Sequence, residues 1–179
     1  MKFCSNCGTE VSQKIPPNDN RLRFVCSNCD TIHYQNPTII AGCIAHHEHK
    51  VLLCKRAIEP RKGFWTLPAG FMENGETIQE SAHRETWEEA EAKIFNDSLY
   101  TLFNLPHINQ VYAFYRGEII NGEFGAGIES IESQLFSEAD IPWNELAFPT
   151  IKLTLDHFFN DRKTGEFPIR IEDITFPKK

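Results

Sequence analysis

The stretch Gly70–Ala92, GFMENGETIQESAHRETWEEAEA, decides how the rest of the chain is read. A loop carrying glycine and acid runs into a segment with helical spacing. At about 100° per residue, Glu85, Glu88 and Glu89 fall on one side of the helix. Spacings of i to i+3 and i to i+4 make their side chains neighbours, and like charges so placed repel by a few tenths of a kcal/mol per pair. A helix needing only solvent would gain by mixing lysine into that face. A hard divalent cation among the oxygens explains the clustering, because Mg²⁺ and Mn²⁺ prefer carboxylate, carbonyl and water ligands. The plain alternative is an acidic, solvated face. Thr77 followed by Glu80 predicts a capping box at the start of this helix. Ala82, Thr86 and Ala90 form a stripe of small residues that lets the helix sit close to a sheet while the acids line its margin.

The register of the whole stretch is more specific than the acidic triplet. Gly70 is followed by five residues, Glu76, seven more, and then Arg84-Glu85-Thr86-Trp87-Glu88-Glu89. This spacing resembles the Nudix box, the loop–helix motif of hydrolases that cleave nucleoside diphosphates linked to another moiety. The resemblance implies an α+β fold, a Nudix α/β/α sandwich with a mixed sheet. It also implies Mg²⁺ or Mn²⁺ held by Glu85, Glu88, Glu89 and the carbonyl of Gly70, where the missing Cβ leaves the approach open. Glu85 is then expected as the base that accepts a proton from the attacking water, with Arg84 orienting the glutamates and Glu76 fixing the loop. Two positions depart from the pattern: Thr86 is more polar than the usual aliphatic residue, and Glu91 stands where the family has a glycine. The second departure bears on where the helix ends rather than on the chemistry.

At 179 residues, 41% hydrophobic and 24% charged, the chain is long enough for one domain with a proper core and a small appendage. A formal charge of −7 argues against a broad nucleic-acid or anionic-membrane surface. It also sets acid against an acidic diphosphate substrate, a conflict that a bound divalent cation resolves by reversing the local sign. The opening MKFCSNCG carries no apolar signal-like region and no run of about 18 apolar residues occurs, so the expectation is a protein of the reducing cytoplasm, or of an organelle interior, with no membrane partner.

Residues 1–35 read as a separate small module, with 36–179 as the catalytic domain. Cys4-x-x-Cys7, eighteen intervening residues and Cys26-x-x-Cys29 match the spacing of a tetrahedral four-cysteine zinc site. Two disulfides are the competing reading, and they need an oxidising compartment. Because four thiolates close the coordination, zinc here is structural and leaves no open position for chemistry. A strand is expected over Arg21–Val25. Four basic residues against three acidic ones make the module too weakly charged to track nucleic acid, which leaves a scaffold or dimerisation role.

In the larger part, Thr38–Ala45 and Val51–Arg56 read as a hairpin whose Cys43 and Cys54 are buried apolar thiols. His46-His47-Glu48-His49 reads as its exposed turn rather than as a metal site. Lys62–Gly70 leads into the box as a short strand and turn. Strands are expected over 93–103 and 110–120, a strand end at Gln134-Leu135-Phe136, and an amphipathic helix over 148–159. Residues 167–179 read as a late strand or an ordered arm. Phe103, His107, Tyr112, Phe114 and Tyr115 concentrate aromatic groups that are divided between stacking on a base and filling the core.

A zinc ribbon before a Nudix domain resembles the NADH pyrophosphatases, yet their SQPW-type segment is absent, the region reading Glu138-Ala139-Asp140-Ile141-Pro142-Trp143-Asn144-Glu145. Leu67-Pro68-Ala69-Gly70-Phe71, the Arg84–Glu89 core and Leu135–Phe148 are more similar to zinc-ribbon Nudix proteins acting on FAD and ADP-ribose. That resemblance implies a nucleotide-type small molecule as substrate, nucleoside monophosphates as products and a homodimer. The alternatives are an NADH or NAD-cap pyrophosphatase and a non-catalytic Nudix ligand sensor. The sensor usually loses acids from the box, and every acid is present here.

Overall fold

The computed structural model describes residues 1–175, and by internal contacts the chain divides into two compact units, Met1–Pro37 and Thr38–Lys179. In the first, β1 (Val11–Lys14), β2 (Arg23–Cys26) and β3 (Ile32–His33) form an antiparallel sheet in the order β1-β2-β3. The turns carrying the cysteines are closed by their own backbone. Gly8 donates to the carbonyl of Cys4 at 2.9 Å, and its φ of +73° is one that a residue with a Cβ rarely takes. The amides of Asn6 and Asn28 donate to the sulfurs of Cys4 and Cys26, each at 3.4 Å. The expected strand is present one or two residues late, and β1 was not anticipated.

The second unit is built on one mixed sheet. Its main path uses β4 (Thr38–His47), β5 (Lys50–Arg56), β8 (Ile94–Leu105), β9 (Gln110–Ile119), β10 (Ser130–Phe136) and β11 (Arg170–Asp173), in the order β10-β5-β4-β9-β8-β11. Two short strands, β6 (Trp65–Thr66) and β7 (Ala69–Phe71), pair with β5 and β4 off that path. The β4–β9 and β8–β11 pairs are parallel and the others antiparallel. Helices α1 (Ile78–Ala90) and α2 (Pro149–Asp161) cover opposite faces. This is the expected α/β/α sandwich.

Alternation along β4 separates the two faces. Ala41, Cys43 and Ala45 point to a core shared with Ala82 and Ala90 of α1, while Ile44 points to a core with Ile151, Leu155, Phe158 and Phe159 of α2. Small residues on both sides let α1 lie close to the strand, as expected. The hydroxyl of the fully buried Thr86 donates to the carbonyl of Ala82 at 2.7 Å, so the polar departure is satisfied within the helix. One expectation is corrected. His46 and His47 belong to β4 instead of an exposed turn, with His46 packed at 5.5 Å against Phe158. The strand end expected at Gln134-Leu135-Phe136 is the end of β10, which starts at Ser130 and pairs along β5. The expected late strand is β11, and the rest of that arm, 176–179, lies outside the described residues. Among the described residues no helix is long and apolar enough to cross a membrane.

Candidate active site

The box is positioned by backbone chemistry at both ends of α1. The side chain of Thr77 accepts from the amide of Glu80, and the side chain of Glu80 accepts from the amide of Thr77, so the capping box forms as expected. At the other end the helix stops at Ala90, with Glu91 in the left-handed conformation (φ 48°, ψ 24°) and its amide donating to Trp87 at 2.8 Å. The backbone therefore makes the turn for which the family pattern supplies glycine. Gly42 in β4 lets the preceding loop come close: a Cβ there would lie 2.4 Å from the Pro68 carbonyl oxygen and from the Cβ of Ala69. Gly70 is pinned in the same way, since a Cβ would meet Glu85 Oε2 at 2.3 Å. The Glu85 carboxyl rests on the bare Cα.

Arg84 gathers the acids. Its guanidinium holds Glu76 through two hydrogen bonds of 3.0 and 2.8 Å, Glu85 at 2.7 Å and Glu88 at 3.0 Å. It also donates to the carbonyl of Phe71 and the hydroxyl of Ser81. The bidentate bond with Arg84, helped by the amide of Glu73, draws the Glu76 carboxyl down to about 2. Glu89 lies in a different environment, 6% exposed, accepting from the amide of Ala69 at 3.2 Å. Burial pushes its carboxyl up to about 8, and the charge of Glu85 adds to the rise. Burial also raises Glu85 against the pull of Arg84.

These donors fit a hard divalent cation. A nearly buried carboxylate with one amide partner and acidic neighbours is costly, and a cation among those oxygens offsets that cost. Glu85 and Glu88 are turned to Arg84, and the box carboxylates do not close on a single point. Among the described residues the one group of three or more ligand atoms gathered within 4.8 Å of one another is Cys4, Cys7, Cys26 and Cys29. All six cysteines are free thiols, and these four fit tetrahedral zinc, with hydrogen bonding to Thr9 drawing Cys7 down to about 6.

The box opens on a cavity of about 1200 Å³. Its lining includes Gly70, Glu85, Glu88 and Glu89 together with the apolar and aromatic Ile40, Leu105, Tyr112, Phe148 and Ile151. Of the candidate stacking residues only Tyr112 lines it. Phe103 and Phe114 fill the core, Tyr115 packs against the α1-side core, and His107 is exposed. Glu129, Arg56 and Thr150 also line the cavity and were not singled out by sequence. Glu129 is near enough for its charge to raise both Glu85 and Glu89.

Comparison with known proteins places this arrangement. A zinc-ribbon family model described as Nudix N-terminal matches residues 2–35, and the NUDIX domain model matches residues 36–152. The chain belongs to the Nudix hydrolase family. It is 32% identical over 130 residues to an ADP-ribose pyrophosphatase of Methanocaldococcus jannaschii, covering 69% of this chain and 75% of that one. It is 29% identical over 144 residues to the NAD-capped RNA hydrolase NudC of Salmonella heidelberg, covering 79% of this chain but 53% of the relative. The chain thus spans about half the length of the NudC proteins it matches. A crystal structure of a NUDIX hydrolase from Nitrosomonas europaea superposes with a TM-score of 0.91 at 50% identity, covering 97% of this chain and 100% of that one.

Proposed function

We propose that the chain is a divalent-metal-dependent pyrophosphohydrolase that splits the diphosphate of ADP-ribose or FAD into two monophosphates. The single observation that carries this reading is the nearly buried Glu89 beside Glu85, in the wall of a cavity that apolar and aromatic residues also line. Glu85, Glu88, Glu89 and the Gly70 carbonyl would hold Mg²⁺ or Mn²⁺, which would supply neutralisation of the diphosphate's charge and acidification of water. Glu85 accepts the proton of a water whose oxygen attacks phosphorus. The P–O–P bond breaks and each half leaves as a monophosphate. Arg84 aligns Glu85 and Glu88 while tying the loop through Glu76, so it acts on the acids rather than on substrate. Tyr112 and Phe148 offer faces for a base or flavin.

A second reading, NAD-cap or NADH hydrolysis, draws on the likeness to NudC. One panel separates the two: FAD, ADP-ribose, NADH and NAD-capped RNA with Mg²⁺ or Mn²⁺, scored for monophosphate release. AMP with FMN or with ribose 5-phosphate is expected. No release from any member overturns the hydrolase reading, and NADH or capped RNA outpacing the others replaces the substrate.

A further inference from the structure

The match to the NUDIX domain ends at residue 152, yet the wall of the cavity does not. After α2 the chain returns along the sheet as the edge strand β11, parallel to β8, with Arg170 beside Thr101 and Asp173 beside Asn104. Several ties hold this arm in place. The Phe167 ring lies under the Arg116 guanidinium at 4.2 Å and 5.7 Å from the Phe158 ring. A Glu172 oxygen is 2.7 Å from His157 Nε2, and the Asn104 side chain donates to Asp173 at 2.9 Å. Ile169 and Ile171 are exposed, at 58% and 69%. Ile174 turns inwards instead, lining the cavity and packing on the α2-side core.

The strand register places Ile174 relative to the box. Its amide donates to the carbonyl of Asn104 at 2.9 Å. The next residue, Leu105, faces Gln110 of β9, and two positions along β9 Tyr112 faces Ile40 of β4. On its other side β4 carries Gly70 of the box loop, opposite Ala41. From β7 to β11 is four strand spacings, about 19 Å in all. A ligand whose diphosphate lies at Gly70 and which also touches Ile174 is therefore of dinucleotide length. A bare sugar on the diphosphate falls well short, whereas a ring system on an open-chain linker reaches. The chemistry of this corner is as narrow as its reach. Leu105, Ile108 and Ile174 present aliphatic surface, and Ile108 is 48% exposed. Such a surface gains by covering the edge of a flat apolar ring, and it offers few partners to a sugar's hydroxyls.

We propose that Ile174, carried by the arm beyond the matched domain, is a specificity-determining residue. With Leu105 and Ile108 it receives the apolar edge of a planar ring on the far half of the substrate. The corner thereby favours a diphosphate that ends in such a ring over one that ends in a sugar. The proposal rests on the hydrolase reading for the position of the diphosphate, while the ring-holding corner is tested by binding alone.

The first measurement is calorimetric titration of the full, zinc-loaded chain with FMN and with AMP, without added magnesium or manganese. In the wild type FMN binds more tightly than AMP. Ile174→Ala is expected to lose about fivefold in FMN affinity, as partial loss of a buried aliphatic contact implies, and much less for AMP. Ile174→Leu keeps most of the FMN affinity. Ile171→Ala, on the exposed face of the same strand, changes neither and separates the corner from a general loosening of the arm. With saturating Mg²⁺, Ile174→Ala raises KM for FAD about fivefold more than KM for ADP-ribose, with kcat little changed, as for a contact made equally in ground and transition states. Thermal melts confirm that the variants are folded. Absence of FMN binding, equal losses for FMN and AMP, equal rises in KM for the two substrates, or the same pattern in Ile171→Ala overturns the proposal. A preference for FMN that disappears in Ile174→Ala, without hydrolysis of any dinucleotide, upholds the corner and sinks the hydrolase reading instead.

Discussion

Glu89 and Glu76 are thirteen residues apart and share a chemistry, yet one is pushed up to about 8 and the other drawn down to about 2. Burial makes the first, and a forked pair with Arg84 makes the second. Glu89→Gln removes the buried charge without changing shape, and should cut kcat by about 100-fold or more at saturating metal, measured as monophosphate release. The same residue gives a pH signature in the metal-free protein. Its folded value lies well above the ordinary carboxylate range, so its contribution to stability is full below that range and lost as pH rises towards 8. Melting temperature without added magnesium should therefore fall by several degrees across that window. The Glu89→Gln variant should show a flatter profile, and added Mg²⁺ should restore the wild-type protein at high pH.

At the scale of elements, the end of α1 and the anchoring of β11 give separate tests. Glu91 occupies a left-handed conformation that suits glycine better. Glu91→Gly should stabilise by about 1 kcal/mol, read as a rise of about 2–4 °C in Tm for a chain of this size. Strand β11 is tied back to α2 through Arg170, which forks onto Asp161. Asp161 is 8% exposed and also accepts from the Tyr100 hydroxyl at 2.6 Å. Burial works against its charge, but Arg170 and Tyr100 hold the carboxyl below the usual carboxylate range. Its stabilisation is present above the ordinary carboxylate value and lost as pH falls through the lowered one. Asp161→Asn should cost about 3 kcal/mol, and its melting temperature should depend less on acid below pH 4 than that of the wild type.

At the scale of the whole molecule, the two compact units have different sources of stability. The cores of the larger unit are built from residues 41–174, whereas Met1–Pro37 buries little beyond Cys4, Val25 and Cys26. A segment of that size needs a metal to hold it. Cys26→Ser should abolish bound zinc by metal analysis and unfold the ribbon, leaving a separate cooperative melt for the larger unit. Much of this organisation was legible in sequence, because the box, the capping pair and the cysteine spacing are local patterns with fixed offsets. The cavity's other walls were not. Arg56 and Phe148 lie 92 positions apart and meet only through the sheet's register, and no periodicity in either segment records that meeting. The aromatic residues divide by strand face, which sequence alternation gives only once it is known which face is closed. The same ignorance of pairing misplaced His46.

The Arg84 guanidinium, lodged among Glu76, Glu85 and Glu88, has a bearing on how tightly an ion can be kept. It serves as a resident counter-ion, so the acids are never left to repel each other unchecked. A divalent guest must share those oxygens with it or push it aside, which weakens retention. Occupancy then tracks the free magnesium of the surroundings, and dialysis alone should empty the box while the ribbon's zinc stays behind.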